Sequence, residues 1–440
     1  MAAGAGTLLV AESGLFRAFG PGLSITVLVA LAVSVTLVPA LLAIVGRLAF
    51  WPTRFARPAA GMAPAEATPT RLRRFAVSAR VVRWVADRRV AAGVSAVLLA
   101  VLVAATVPLL GLRASVSPVD ALPAEHPVHQ AYDAAAAGFA DGILSPTGVI
   151  LTAPGIAERR AALAELQAAL AAQPGVALVL GPADQPLPVE TGLFLAPGGD
   201  AARYLVVLDS DPLGAEAIET LRALRAQLPD FLDTVGLAGA EAAYAGDTAL
   251  GQDLVDTARS DLLRVAVAVT LVDLALLVLF LRALVAPLYL LATSLLAVGA
   301  ALGLTTWFFQ DVQGSGGLIF YVPFAAAVLL VSLGSDYNIF SVGYVWEEAR
   351  RRPLAEALEI AVPRSTRAIN VAGLTLAVSF AFVALIPVAP FRQLAFAMAV
   401  GVLIDAFLVR ALLVPALVSL VGRASGWPGS RLRDAPAASG

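Results

Sequence analysis

Apolar stretches set the rhythm of this chain. Residues 22–45, 90–110, 265–281, 288–309, 318–340, 369–387 and 394–421 are runs of Leu, Val, Ala, Ile and Phe with few charges. A helix needs roughly 20 such residues to cross the hydrocarbon core of a bilayer, so each run is predicted as a membrane span. Residues 1–12 are also apolar but too short to span alone. Residues 247–263 are predicted as a helix that continues into the third span.

Residues 112–261 follow another pattern. Periodicity predicts a strand at 147–152, a helix at 157–171, strands at 176–180 and 204–208, a helix at 215–228 and a weak strand at 238–244. That βαββαβ order is the one found in ferredoxin-like split units. The expected fold class is an α-helical polytopic membrane protein with an inserted α+β ferredoxin-like (βαββαβ) extracytoplasmic domain. Residues 347–363 read as an amphipathic interfacial helix that turns Leu354, Leu358 and Ile360 toward lipid.

Composition agrees with a membrane protein. Of the 440 residues 59% are hydrophobic and 14% charged, against roughly 25% charged in soluble domains. The mean hydropathy is +0.84. Cysteine is absent, which excludes disulfides and thiolate chemistry, and all 30 basic residues are Arg. Their distribution predicts orientation. Residues 47–89 carry ten Arg against Glu66 and Asp87, whereas residues 112–261 carry 20 acidic residues against seven Arg. The positive-inside rule therefore puts the Arg-rich loops and the C-terminus in the cytoplasm and residues 112–261 outside.

Only three acids fall inside predicted spans: Asp273, Asp336 and Asp405. A carboxylate at the bilayer centre costs about 2.5–3.5 kcal/mol on insertion scales, so its default reading is functional. Burial also makes its protonation switchable near neutrality, and these acids are the candidates for a proton path. Asp336 is the strongest. Ser332 lies four residues before it, and Gly334, Asn338 and Ser341 form an adjacent strip of small and polar groups that seeks another helix. Consecutive helical residues point about 100° apart, so Asp336 and Tyr337 must reach different partners. Asp405 and Arg410, five residues apart, stand about 140° apart on an α-helix and are expected to pair with other helices or through water, as a structural ion pair in preference to a proton carrier. Asn370, Thr375 and Ser379, with Gly373, recur on one helix and could hydrate a route or serve helix packing. His126 and His129 read as surface residues of a loop, not as a metal site. No phosphate-binding loop and no nucleophile–base pair is evident, so neither ATP nor enzymatic catalysis is expected, and neither a cofactor nor a nucleic-acid partner.

The segment Gly334-Ser335-Asp336-Tyr337-Asn338-Ile339-Phe340 resembles the Gly-x-Asp-Tyr-x-x-Phe signature of the MMPL transporters, a branch of the RND superfamily of proton-driven exporters. Residues 401–410 resemble the last helix of that family. Residues 281–288, with Arg282 and Pro287, resemble its tight cytoplasmic turn. The resemblance implies that residues 112–261 are a porter domain, that Asp336 carries the proton, and that Tyr337 is its hydrogen-bonding companion. In the family such Asp-Tyr pairs come one from each half of the protein and cross-pair.

An internal repeat fits that plan. Residues 35–47 align without gaps on residues 411–423, and eight of 13 positions match. Parallel repeats are how many transporters build a central site. Under this comparison 1–12 is the remnant of a truncated span, 13–46 the last span of a first repeat, and 47–89 an Arg-rich cytoplasmic linker. The second repeat then comprises 90–111 as its first span, 112–261 as the porter domain and 262–423 as a five-span membrane domain, with 424–440 a cytoplasmic tail. The function implied is proton-motive-force-driven export of lipid-like or hydrophobic substrates, with protons as coupling ion. The expected partners are membrane lipid, the substrate, and a missing N-terminal half or a second copy. The alternative is a truncated, non-transporting membrane subunit or scaffold that pairs with another half.

Overall fold

A computed structural model describes residues 1–46, 79–123, 125–185, 188 and 191–429. Most of the expected Arg-rich linker (47–78) and of the expected tail (430–440) lies outside the described residues. Among those described, seven helical segments are long and apolar enough to cross a membrane, matching the seven expected runs.

The chain opens with a short helix α1 (Ala2–Gly6) and a 3-10 turn (Thr7–Val10), which lead into α2 (Gly14–Val45). Only the start of α2 is packed: Phe16 stacks on Phe324 with ring centroids 3.8 Å apart, and Phe16 and Gly20 are buried. Helix α3 (Ala79–Ala86) then leads to α4 (Arg88–Thr106). Asp87 starts α4 where it does, because its carboxylate accepts the otherwise unpaired N–H groups of Arg89 and Val90 at 2.9 and 3.2 Å.

A 3-10 turn (Val107–Gly111) carries the chain out of the membrane bundle into strand β1 (Ala114–Ser115). Helix α5 (Pro127–Ala136) follows, which corrects the expectation of a loop around the two histidines. Pro127 supplies a preset first turn, the His126 ring accepts the N–H of Val128 at 3.3 Å, and His129 faces Asp133 at 3.2 Å.

The remaining elements of this region are β2 (Thr147–Thr152), α6 (Arg160–Ala171), β3 (Val176–Leu180), β4 (Ala201–Leu208), α7 (Ala215–Thr234) and β5 (Glu241–Ala245). The strands form one sheet in the order β3-β4-β2-β5 with every neighbour antiparallel. Leu151, Leu163, Leu166, Tyr204, Val206 and Leu224 fill the layer between sheet and helices. Each such side chain contributes about 1.5–3 kcal/mol on leaving water. The Tyr204 hydroxyl meets its hydrogen-bonding need by donating to Leu163 O at 3.0 Å. Helix α7 continues past Pro229, where the sequence suggests a stop, because Leu228 and Leu232 on either side are both buried.

Gly246, at φ +107°, turns the chain from β5 directly into α8 (Asp247–Leu281), a single helix of 35 residues. A Cβ at position 246 would lie 3.0 Å from Pro146 O, so both conformation and space call for glycine. The upper part of α8 is tied to α7 by Arg222–Asp256 at 2.7 Å and Arg225–Asp253 at 3.3 Å. Arg282 then adopts a left-handed conformation, its N–H bonding Val278 O, and α9 (Val285–Thr306) begins with Pro287 in its first turn. The tight turn expected there is present, and it is braced by a Leu284 N–H to Trp427 O bond of 2.7 Å.

After a π-helical turn (Trp307–Val312) comes strand β6 (Leu318–Ile319), which pairs in parallel with β1. This clip joins the exit of α4 to the entry of α10 (Tyr321–Ala349). Helix α11 (Leu354–Val383) follows. Then α12 (Ala389–Leu403) passes through a π-helical stretch (Ile404–Leu413) into α13 (Val414–Val421).

The amphipathic interfacial helix expected at 347–363 is not found. Glu347 lies in the last turn of α10, which ends at Ala349; the helix breaks before Pro353, and α11 then runs for 30 residues through Pro363. Leu358 is buried among Ala357, Ala361 and Val362 in the bundle core and does not face lipid. Leu354, partly buried, packs on the same core, and Ile360 is half-buried.

Candidate functional site

The polar centre of the bundle forms where α10 meets the π-helical stretch. A π-helix brings residues five apart into register, because its hydrogen bonds run from i to i+5. Asp405 and Arg410 therefore meet directly: Arg410 Nε donates to Asp405 Oδ2 at 2.7 Å and Nη2 donates to Oδ1 at 3.0 Å. This corrects the expectation of a 140° separation, which assumed α geometry. The cross-helix contacts expected for the same arginine are also present. Nη1 donates to Asn338 Oδ1 at 2.9 Å and Nη2 to the carbonyl of Gly334, both on α10. Asn338 in turn donates to Ser294 Oγ on α9 at 3.1 Å.

Arg410 is fully buried. Taking a guanidinium and a carboxylate out of water costs several kcal/mol per ion, and a bidentate pair with further hydrogen bonds is the geometry that offsets it. The guanidinium carbon also lies 5.4 Å from the centre of the Tyr337 ring. A cavity of about 20 Å³ bounded by Ser294, Gly334, Tyr337, Gly373 and Asp405 adjoins this cluster, a volume suited to about one water molecule.

Asp336 takes the other side of α10. Its side chain is 49% exposed, and its Oδ1 lies 3.5 Å from the amino group of Met1. The neighbouring strip packs as the sequence suggests, with Ser332, Gly334, Asn338 and Ser341 all buried. Ser332 faces α1, where a Cβ on Gly4 would lie 2.5 Å from Ser332 Oγ. Tyr337 and Asp336 thus reach different surroundings, as their 100° separation requires.

The other candidates divide. Asp273 on α8 and Asn370 on α11 are buried. Thr375 and Ser379 are exposed, and each bonds a carbonyl of its own helix, Val371 O at 2.8 Å and Thr375 O at 2.9 Å. They do not join the cluster.

One buried acid escaped the sequence reading because it sits where the soluble pattern gives way to the apolar run. Asp261 on α8 is fully buried and accepts the N–H groups of Glu12 and Ser13 at 2.7 and 2.8 Å. Arg264 adds an ion pair to Glu12 at 2.5 Å. Together they fix the start of α2 against α8.

At the junction of bundle and sheet domain lies a cavity of about 360 Å³. Leu109, Leu262, Leu302, Phe320 and Phe324 make it apolar on the bundle side, and Arg113, Arg222 and Arg259 with Glu219 line it on the other.

Outside the spans, the hydroxyl of Tyr132 is buried without a hydrogen-bond partner among the described residues, and burial and nearby carboxylates push its pKa up. Asp120 is pushed up by loss of hydration and by Asp211, against a smaller opposing effect of its hydrogen bond from Ser115.

The chain matches the model of the MMPL family over residues 1–88 and 120–438. It is 32% identical over 425 residues to a Streptomyces coelicolor chain described as a membrane protein, SCO5905, covering 96% of this chain and 47% of that one. It is 34% identical over 233 residues to the apo-petrobactin exporter of Bacillus anthracis, 52% of this chain and 31% of that protein. A Mycobacterium tuberculosis chain named as transport protein MmpL12 is 31% identical over 246 residues, 55% of this chain and 21% of its own length. The chain spans about half the length of the first relative and less of the other two.

Proposed function

Because this chain belongs to the MMPL family, a branch of the RND superfamily, and is a multi-pass membrane protein, we propose that it takes part in proton-motive-force-driven export of lipid-like or hydrophobic substrates across the cytoplasmic membrane. Asp336 carries the proton in this reading and Tyr337 is its hydrogen-bonding companion, with protons as the coupling ion. Each charge crossing contributes about 2.3 kcal/mol per 100 mV. The observation that carries the reading is the position of this pair on α10. Asp336 is open to exchange on one side, while Tyr337, the next residue, lies against Arg410, which is buried and bound to Asn338 and to the half-buried Asp405, on the other. A change of charge at 336 is then felt one residue away from a network with two satisfied ions, and α10 shifts against α12.

Residues 112–261 act in this reading as a ferredoxin-like porter domain on the extracytoplasmic side, with the Arg-rich loops and C-terminus cytoplasmic. The order β3-β4-β2-β5, with α6 and α7 as the two crossovers, supports the first part. The charge imbalance between 47–89 and 112–261 supports the second. A lipid-like substrate is supported by the junction cavity, which is apolar toward the bundle and charged toward the sheet domain.

The direct test is Asp336→Asn in an efflux or complementation assay using the complete locus. Export falling to background is expected, and undiminished export would end the proton-carrier reading.

A second reading, a membrane subunit or scaffold that pairs with another half or with itself, is favoured by α2. None of its most apolar 18-residue window is buried, unlike the 56% burial in the segment that includes its repeat partner. Intramembrane cross-linking from Val29 or Val33, both exposed on α2, distinguishes the two partners by the mass of the product.

A further inference from the structure

At the end of the bundle remote from the sheet, α3 and the first turns of α4 form a shallow, open groove of about 460 Å³. Its walls are Val90, Gly93, Val94 and Val97 of α4, with Trp84 of α3 and Leu412 of the π-helical stretch. The groove is concave because position 93 has no side chain, and a Cβ there would meet nothing within 4 Å. Along α4 it runs from Val90 to Leu98, about 12 Å, close to the depth of one leaflet of a ~30 Å hydrocarbon core.

The polar end is cationic. Arg88 and Arg89 are exposed at the start of α4 and form no ion pair among the described residues, whereas Arg83 is held by Glu359 at 3.2 Å. The acid between them and α3, Asp87, is turned to the backbone N–H groups of Arg89 and Val90. Trp84, 61% exposed, sits at the same level, where amphipathic rings favour the headgroup boundary.

We propose that this groove holds an acyl chain of an anionic phospholipid whose phosphate is bound by Arg89, one turn before Gly93 on the same side of α4. The charge favours this occupant over a zwitterionic lipid. It also disfavours a second copy of the chain, since a two-fold contact through this surface would set Arg89 against its equivalent. The site is independent of the transport reading, because it requires only that the bundle sits in lipid.

Trp84 reports occupancy. The full chain is reconstituted in phosphatidylcholine vesicles with increasing fractions of phosphatidylglycerol brominated on its acyl chains, and the Trp84 signal is isolated by subtracting the Trp84→Phe variant. Quenching is expected at lower fractions of the brominated phosphatidylglycerol than of brominated phosphatidylcholine. Arg89→Gln is expected to raise the half-quenching fraction about fivefold, and Arg88→Gln, on the other side of α4, to change it less; an unchanged fraction in Arg89→Gln overturns the phosphate assignment. Gly93→Leu, whose Cβ enters open space and whose side chain fills the groove, and which suits a helix better than glycine, is expected to reduce the quenching itself. Equal quenching by both lipids overturns the headgroup assignment, and quenching unchanged by Gly93→Leu overturns the groove.

Discussion

Arg410 grips Asp405, five residues earlier on the same helix, through two hydrogen bonds of 2.7 and 3.0 Å, and the π-helical backbone between them makes this possible. The pair is the electrostatic centre of the membrane bundle.

Breaking it from one side should be worse than removing it. Arg410→Leu leaves the Asp405 carboxylate without its counterion, and also strips a donor from Asn338 and from Gly334 O. The expected loss is about 3–5 kcal/mol, and the double variant Asp405→Leu/Arg410→Leu is expected to recover part of it. Thermal unfolding of the purified protein in detergent gives the comparison.

Close approach of α9 to α4 sets a steric prediction. A Cβ at Gly303 would lie 2.1 Å from the carbonyl oxygen of Ala105, a backbone atom that cannot turn aside. Gly303→Ala is expected to destabilise by about 1–3 kcal/mol or more. Gly334→Ala, where the nearest atoms are Arg410 Nη2 at 3.6 Å and Ser294 Oγ at 3.9 Å, is expected to be tolerated. Yield and melting temperature of the two variants test the contrast.

Asp261 accounts for two N–H groups at the entry to α2. Hydrogen bonds to a charged group contribute about 1.5–3 kcal/mol each, so Asp261→Ala should loosen this segment, and Asp261→Asn, which keeps one acceptor, should do so less. Hydrogen exchange at the amides of residues 12–16 is expected to accelerate in that order.

The carboxylates outside the membrane predict a pH dependence. The pKa of Asp120 is raised in the folded protein, by loss of hydration and by Asp211, above an unfolded value of about 3.9. The folded state therefore binds the proton more tightly, and stability falls as pH rises from the unfolded to the folded value. Asp120→Asn, which cannot ionise, should be more stable than the parent at pH 7 and lose that advantage at pH 3. Melting curves of both proteins at the two pH values decide it.

Much of this architecture could be read from residue order. The spans are legible because some 20 apolar residues in a row have few other uses, and strands 147–152 and 176–180 because short apolar runs with β-branched residues stand between Pro and Gly turn signals. The ion pair was legible in its residues but not in its geometry. Nothing in Ile404–Leu413 announces a π-helix, and a rotation assumed at 100° per residue misplaces Arg410 relative to Asp405. The β1–β6 clip was invisible for another reason, since two residues per strand have no periodicity to detect. Leu358 shows the limit of amphipathicity, which reports that a face is apolar and not whether protein or lipid covers it.

Helix α8 spans from Asp247 at the sheet to Leu281 at the far side of the bundle without a proline or a break, a length of about 52 Å. Such a strut turns small angles into large strokes: pivoted at its inner end, a tilt of 5° would carry its outer end roughly 4–5 Å sideways. With Arg222 and Arg225 of α7 latched to that outer portion, the sheet domain would ride with it, and the mechanical gain would come from stiffness alone.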